Sequence, residues 1–257
     1  FLTTHTIENV LLPEAEMMKE FVGSPQEKLV NMMDPYHPIM SGVVQNQDSY
    51  MKGKIAQRAY TDKIKQSLVS SMEAFYKLTG RRYGLISTYE MDDAEYAIVG
   101  MGSMIETAEA AVGYLRKEKN IKVGIVHVTS FRPFPGKQLT EALKHVRSIS
   151  VLERMDNPLA ESNPLTIEIK AALTDYIQRD ESGNMKIPKI YSGSAGLGSR
   201  DVRPDDIIAV VENMIKDDKK YFAIGIDHEL GLPTRESTDI RPEGTFSMRG
   251  HSVGGYG

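Results

Sequence analysis

The chain has 257 residues, of which 40% are hydrophobic and 26% charged, with a formal net charge of −4 and no cysteine. That is ordinary globular composition, with enough chain to bury a substantial core. It excludes disulfides, thiolate metal sites and iron–sulfur ligation by this chain, and it leaves no overall basic footprint for nucleic acid or an anionic membrane. No apolar run approaches the ~20 residues of a membrane span and no basic-then-apolar leader is present, so a cytoplasmic location is the expectation.

In chain order, residues 1–10 are Thr-rich and β-prone. Pro13 suits the first turn of a short helix that Gly23 and Pro25 end, and Ser24-Pro-Gln-Glu27 resembles a capping box opening a second one. The two prolines of Asp34-Pro-Tyr-His-Pro38 fix the backbone and remove donors, so an irregular stretch to Asp48 is expected. From Gly53 to Leu78 the apolar residues Ile55, Ala59, Ile64, Leu68, Met72, Phe75 and Leu78 recur at helical spacing, which predicts one long helix with Gly80 just past its end. A short extended piece over 81–89 follows.

Residues 94–153 organise the rest. Tyr96-Ala-Ile-Val-Gly100, a glycine turn at Met101-Gly-Ser103, an amphipathic stretch over 105–119, and apolar runs at 123–128 and 149–152 have the form of βαβ units. Their strands must be parallel, because the connecting helix carries the chain back along the sheet. A helix from Pro164, a turn cluster at Asp180-Glu-Ser-Gly-Asn184, a strand over 187–191, a helix from Pro204 and an apolar run over 221–226 continue the alternation. The predicted fold is α/β: an open, mostly parallel sheet of about five strands with helices on both faces, plus a helical N-terminal extension. Beyond Asp227 comes a proline-containing connector, and Thr245-Phe-Ser-Met248 looks like the first strand of another domain. The chain opens on Phe1 and stops within Gly254-Gly-Tyr-Gly257, so it reads as a segment of a longer polypeptide.

Two loops are candidates for chemistry. In the first, Ser192, Gly193, Ser194, Gly196, Gly198 and Ser199 lie between a strand and a helix, where backbone amides can meet an anion, with Arg200 and Arg203 adding charge. The alternative is a glycine-rich turn with solvated arginines, since neither a Gly-Lys-Ser/Thr ending nor a G-x-G-x-x-G spacing is present. In the second, Thr129-Ser-Phe-Arg-Pro-Phe-Pro135 leaves a parallel strand at its C-terminal end and presents Arg132 between prolines and aromatics, which suits a carboxylate or phosphate. The alternative is a structural ion pair of Arg132 with Glu153 or Asp156. The six histidines have no metal-ligand spacing, and no serine has a nucleophile-elbow context, so no residue is assigned a catalytic or metal-binding role.

Several motifs in order resemble the pyruvate:ferredoxin oxidoreductases and, more broadly, the 2-oxoacid:acceptor oxidoreductases. They are Thr3-Thr-His-Thr-Ile-Glu8, His37-Pro38 with Gly42-Val-Val-Gln-Asn-Gln-Asp48 and Tyr50, Lys77-Leu-Thr-Gly-Arg-Arg-Tyr83, Val99-Gly-Met-Gly-Ser103, Phe131-Arg-Pro-Phe134, Val151-Leu-Glu-Arg154 and Gly196-Leu-Gly-Ser-Arg-Asp-Val-Arg-Pro204. The resemblance implies the end of a preceding domain and a helical linker over 1–93, a transketolase C-terminal-like domain over 94–227, and a connector with the start of a γ-like domain over 228–257. The activity it implies is coenzyme A-dependent oxidative decarboxylation of a 2-oxoacid to acyl-CoA and carbon dioxide, with reduction of ferredoxin or flavodoxin. Thiamine diphosphate, magnesium, [4Fe-4S] clusters and coenzyme A are implied for the parent enzyme, which is expected to be a homodimer, and none of these cofactors for this segment. The segment alone is expected to be inactive. Arg132 and the 192–200 residues are its candidate anion or coenzyme A contacts. The alternatives are a scaffold or dimerisation module, or a domain binding an anionic metabolite without chemistry.

Overall fold

The computed structural model describes residues 12–28, 33–39, 42, 44–179, 186–233 and 240. The β-prone stretch at 1–10, the turn cluster at 180–184 and the expected strand and loop after 244 lie outside the described residues.

The N-terminal part is a string of helices: α1 Ala15–Val22, α2 Pro25–Lys28, α3 Gln47–Ala56, α4 Arg58–Thr61 and α5 Ile64–Thr79. The single long helix expected over 53–78 is therefore three. Only α5 holds the strong apolar spacing, from Leu68 to Leu78. It ends where Gly80 takes the left-handed conformation (φ 73°) and returns its N–H to the Tyr76 carbonyl at 2.8 Å. α3 starts earlier than expected, because the Asn46 side chain accepts from the Ser49 N–H and caps it at 3.2 Å.

Among the described residues, six strands form one sheet. They are β1 Ile86–Tyr89, β2 Tyr96–Gly100, β3 Val123–Val128, β4 Ser148–Glu153, β5 Lys189–Ser194 and β6 Tyr221–Ala223, in the spatial order β1-β3-β2-β4-β5-β6. The five strands from β2 onward are parallel, and β1 adds an antiparallel edge on β3, with Ile86 opposite Val128. The extended piece over 81–89 thus supplies the strand beyond the five expected. A four-residue strand carrying Ser87 and Thr88 has too weak an apolar run to be separated from a loop by pattern alone.

Helices α6 Met104–Lys119, α7 Gly136–Leu143, α8 Pro164–Gln178 and α9 Pro204–Lys216 connect the parallel strands. Strand alternation divides the core in two. Ile98, Ile125, Leu152 and Tyr191 point to the face covered by Ile105, Ala108, Val112 and Leu115 of α6 and Ile207, Val210 and Met214 of α9. Ala97, Val99, Val126, Ile149 and Val151 point to the face covered by Leu139 and Leu143 of α7 and Leu165, Ile169 and Leu173 of α8. The sheet is open, mostly parallel and covered on both faces, as the βαβ pattern requires.

Candidate functional site

Chain direction across the sheet reverses at β2. Through α6 the chain moves outward to β3, and through α7 it crosses back over β2 to β4, then on to β5 and β6. The crevice at the C-terminal ends of β2 and β4 is the topological switch point, where open α/β sheets place ligands. Gly100 ends β2 there opposite Leu152, and a Cβ on it would lie 2.8 Å from the Ile105 side chain and 3.1 Å from the Leu152 carbonyl. That close approach seats the first turn of α6 on the sheet, with Gly102 (φ 77°) making the turn before it.

On the β4 side the crevice is bounded by a polar network. Glu153, the last residue of β4 and 8% exposed, accepts from the Leu165 N–H at 2.6 Å, the Thr166 N–H at 3.1 Å and the Thr166 hydroxyl at 2.9 Å. A carboxylate on the free amides of a helix start is charge-assisted and favoured by the helix dipole, so Glu153 fixes where α8 begins. The Asn163 side chain closes the 155–163 loop: its amide donates to the Met155 carbonyl at 3.0 Å and its oxygen accepts from the Asn157 N–H at 3.0 Å. Ser194 joins the same network, donating to Asp156 at 2.9 Å and accepting from Asn163 at 3.3 Å.

The expected contact residues do not form one group. Arg132 follows β3, whereas the 192–200 residues follow β5, three strand spacings away in the sheet, or about 14 Å. The Arg132 guanidinium pairs with Glu168 of α8 at 2.5 Å, donates to the Phe131 carbonyl at 2.8 Å and stacks on the Phe131 ring at 4.3 Å. Its ion-pair partner is therefore Glu168 and not Glu153 or Asp156, since Glu153 is spent on α8 and Asp156 accepts from Ser194. Ser192 and Gly193 lie within β5. The Ser192 hydroxyl shares a hydrogen bond with Thr166 at 3.2 Å. Gly193 packs so closely that a Cβ would sit 2.5 Å from the Phe222 ring.

The β5–α9 connection is exposed over 197–201 and at Arg203; it contains the single 3-10 turn Leu197–Ser199, and Gly196 (φ 66°), Gly198 (φ 60°) and Ser199 (φ 61°) are left-handed. Arg200 donates through Nε to the Gly225 carbonyl. Arg154, exposed at the end of β4, lies against Gly196, its Nε 2.7 Å from where a Cβ would stand. That guanidinium lies on the β5 side of the β4 end and was not among the candidates; its signal was available, because Arg154 directly follows the strand run 149–153. At the start of α9, buried Asp206 accepts from the Arg203 N–H at 2.9 Å, and burial pushes its carboxyl above the ordinary carboxylate range.

Among the described residues no group of three or more histidine, aspartate or glutamate side chains is placed to hold a metal ion. His145 bonds the Met91 carbonyl at 2.9 Å, and His228 accepts from the Leu230 N–H at 3.1 Å. Lys170 reaches the Ser162 hydroxyl at 2.5 Å, but Ser162 is buried in the loop and its proton goes to the Glu161 carbonyl. The arrangement can position loops and offer guanidinium groups at the strand ends, and among the described residues no nucleophile–base pair opens to the crevice. No helix among the described residues is long and apolar enough to cross a membrane.

The geometry defines an open α/β domain of the doubly wound kind, with its connecting loops gathered at a switch-point crevice. Residues 94–207, from just before β2 into α9, match the family model for pyruvate:ferredoxin oxidoreductase core domain II. The sheet domain is therefore similar to core domain II of the pyruvate:ferredoxin oxidoreductases. The chain is 32% identical to the pyruvate synthase subunit PorA of Thermotoga maritima over 87% of its length, covering 56% of that protein. It is 31% identical to the pyruvate:ferredoxin oxidoreductase of Moorella thermoacetica over its whole length, covering 22% of that protein. The PorA subunit of Methanocaldococcus jannaschii is 31% identical over 88% of the chain, with 55% of that protein covered. The chain thus spans about half the length, or less, of these relatives.

Proposed function

We propose that this chain is the domain II portion of an enzyme that oxidatively decarboxylates a 2-oxoacid, pyruvate first among candidates, transfers the acyl group to coenzyme A and passes electrons to ferredoxin or flavodoxin. The observation that carries this reading is the family match over 94–207, which coincides with the run from β2 into α9. The division proposed with it is a helical lead-in over 1–93, the sheet domain over 94–227 and a connector over 228–257. The enzyme is taken to be a cytoplasmic homodimer.

Thiamine diphosphate, magnesium, iron–sulfur clusters and coenzyme A belong to that reaction. The residues of this chain do not fit the metal groups, because it has no thiolate and the described residues have no cluster of metal-ligating side chains. The chain's own part is to hold the strand-end loops in place through Glu153, Asn163 and Asp206 and to present Arg154, Arg132 and the 196–200 turn to a ligand or a neighbouring domain.

The test is the activity of the enzyme that contains this chain, purified without oxygen and assayed with a panel of 2-oxoacids, coenzyme A and a low-potential dye. Dye reduction that requires coenzyme A and one oxoacid is the expected result. An enzyme with its cofactors bound that reduces no dye with any oxoacid overturns the reading.

A second reading, in which the domain is a scaffold without ligand contact, is favoured by one observation. The Arg132 guanidinium is engaged by Glu168 and Phe131, and the Ser192 and Ser194 hydroxyls are engaged inside the protein. On that reading Arg132→Ala leaves the KM for coenzyme A unchanged.

A further inference from the structure

Residues 44–64 are exposed without a break, and they include α3 and α4. Neither helix buries a single residue. Helices of ten and four residues are marginal in water when nothing packs against them, and Gly53 within α3 weakens it further. The same stretch carries large apolar side chains into solvent: Tyr50 is 54% exposed, Met51 71%, Ile55 60%, Tyr60 76% and Ile64 50%. A run of this kind, rimmed by Lys52, Lys54, Arg58 and Asp62, has the composition of a contact surface and not of a finished one.

What can cover it follows from the lengths of the relatives. The Moorella thermoacetica protein aligns with all of this chain, the 44–64 stretch included, yet 78% of that polypeptide lies outside the match. The Thermotoga maritima subunit aligns with 87% of this chain and carries 44% of its length beyond the match. In both, the additional chain is on the same polypeptide as the matched region.

We propose that residues 44–64 form a docking arm, and that Tyr50, Met51, Ile55, Tyr60 and Ile64 are covered by a folded part of the same polypeptide that lies outside these 257 residues. The proposal rests on the reading of the chain as part of a longer oxidoreductase. The partner surface is apolar where it meets these five residues and acidic at its rim, facing Lys52, Lys54 and Arg58. Covering the arm gives α3 and α4 the tertiary packing that they lack here.

Amide hydrogen exchange on the intact enzyme and on the 257-residue chain tests this. The expected result is exchange over 47–61 at least 100-fold slower in the enzyme than in the chain, with the amides of β2, β3 and β4 protected in both. In the enzyme, Met51→Asp with Ile55→Asp removes the protection of 47–61 and leaves that of the sheet. Equal exchange over 47–61 in the two forms of the wild type overturns the proposal, with no variant needed. Protection already present in the 257-residue chain overturns it too: if independent of concentration the chain covers its own arm, and if it rises with concentration a second copy does. An enzyme whose arm is protected but which oxidises no 2-oxoacid removes the functional reading and leaves the docking in place.

Discussion

α5 and α6 are both 16 residues long, both end on a left-handed residue, Gly80 and Asn120, and both carry apolar side chains at helical spacing. α6 buries six residues against the sheet, whereas α5 buries none, and its Leu68, Met72, Phe75 and Leu78 stay half-buried. The difference lies in the surroundings. β2 and β3, joined by α6, present Ile98, Val123 and Ile125 to it at the spacing of parallel strands, while α5 has α1, with Phe21 edge-on to Phe75 at 5.8 Å, and the rim of the sheet domain, which Lys65 reaches at Gln138. An amphipathic pattern states that a helix needs a partner; it does not carry that partner along.

The sharpest way to break this comparison is to truncate one residue on each side of it. Ile98→Ala, at a fully buried position on β2, is expected to cost about 2–5 kcal/mol in urea unfolding. A value within the range of surface changes would mean that the sheet core is loosely packed.

Glu153→Gln keeps the size but removes the charge from the cap of α8. The expected loss is about 1.5–3 kcal/mol, read as a lower urea midpoint and faster exchange of the Leu165 and Thr166 amides.

Ser150 points in the opposite direction. Its hydroxyl is buried at the centre of β4 with no partner, so Ser150→Ala is expected to raise stability by about 1 kcal/mol. Destabilisation by as much would mean that the hydroxyl is hydrogen-bonded.

Asp206 adds a pH dependence. Because burial raises its carboxyl pKa in the folded state, the native protein holds this proton more tightly than the unfolded chain does. Its contribution to stability therefore falls as pH rises from about 3.8 through the raised value. Asp206→Asn should be at least as stable as the wild type at pH 7 and show no such gain below pH 4, which thermal melts across that range can check.

The smallest effect belongs to the arm. Ile55→Ala in the 257-residue chain is expected to change stability by no more than about 0.5 kcal/mol, since the side chain is 60% exposed on a helix that buries no residue.

The parallel sheet was legible because Tyr96-Ala-Ile-Val-Gly100 and its successors are short β-branched runs set a helix apart, and burial on both faces leaves such runs little alternative. β1 was legible only as a short extended piece over 81–89, since Ser87 and Thr88 break the apolar run and pairing with β3 is what makes it a sheet strand. The break in the long helix was missed for a similar reason: Ile55, Ala59 and Ile64 keep the spacing while the backbone between them ends and restarts. At the strand-end loops the residue types were correctly singled out, but their partners come from elsewhere in the chain. Arg132 met Glu168, 36 residues on, and Ser194 met Asp156, 38 residues back. A single sequence gives no register between loops, so which hydroxyl or guanidinium stays available for a ligand was beyond it.

The central claim is that the sheet domain is complete in itself and does not need the helices ahead of it, whose packing the docking proposal places outside these 257 residues. Urea unfolding of residues 84–233 alone, followed by near-ultraviolet dichroism, tests it most directly. The account predicts one cooperative transition with the midpoint shown by the sheet in the 257-residue chain; a fragment without fixed aromatic dichroism or a cooperative transition would contradict it.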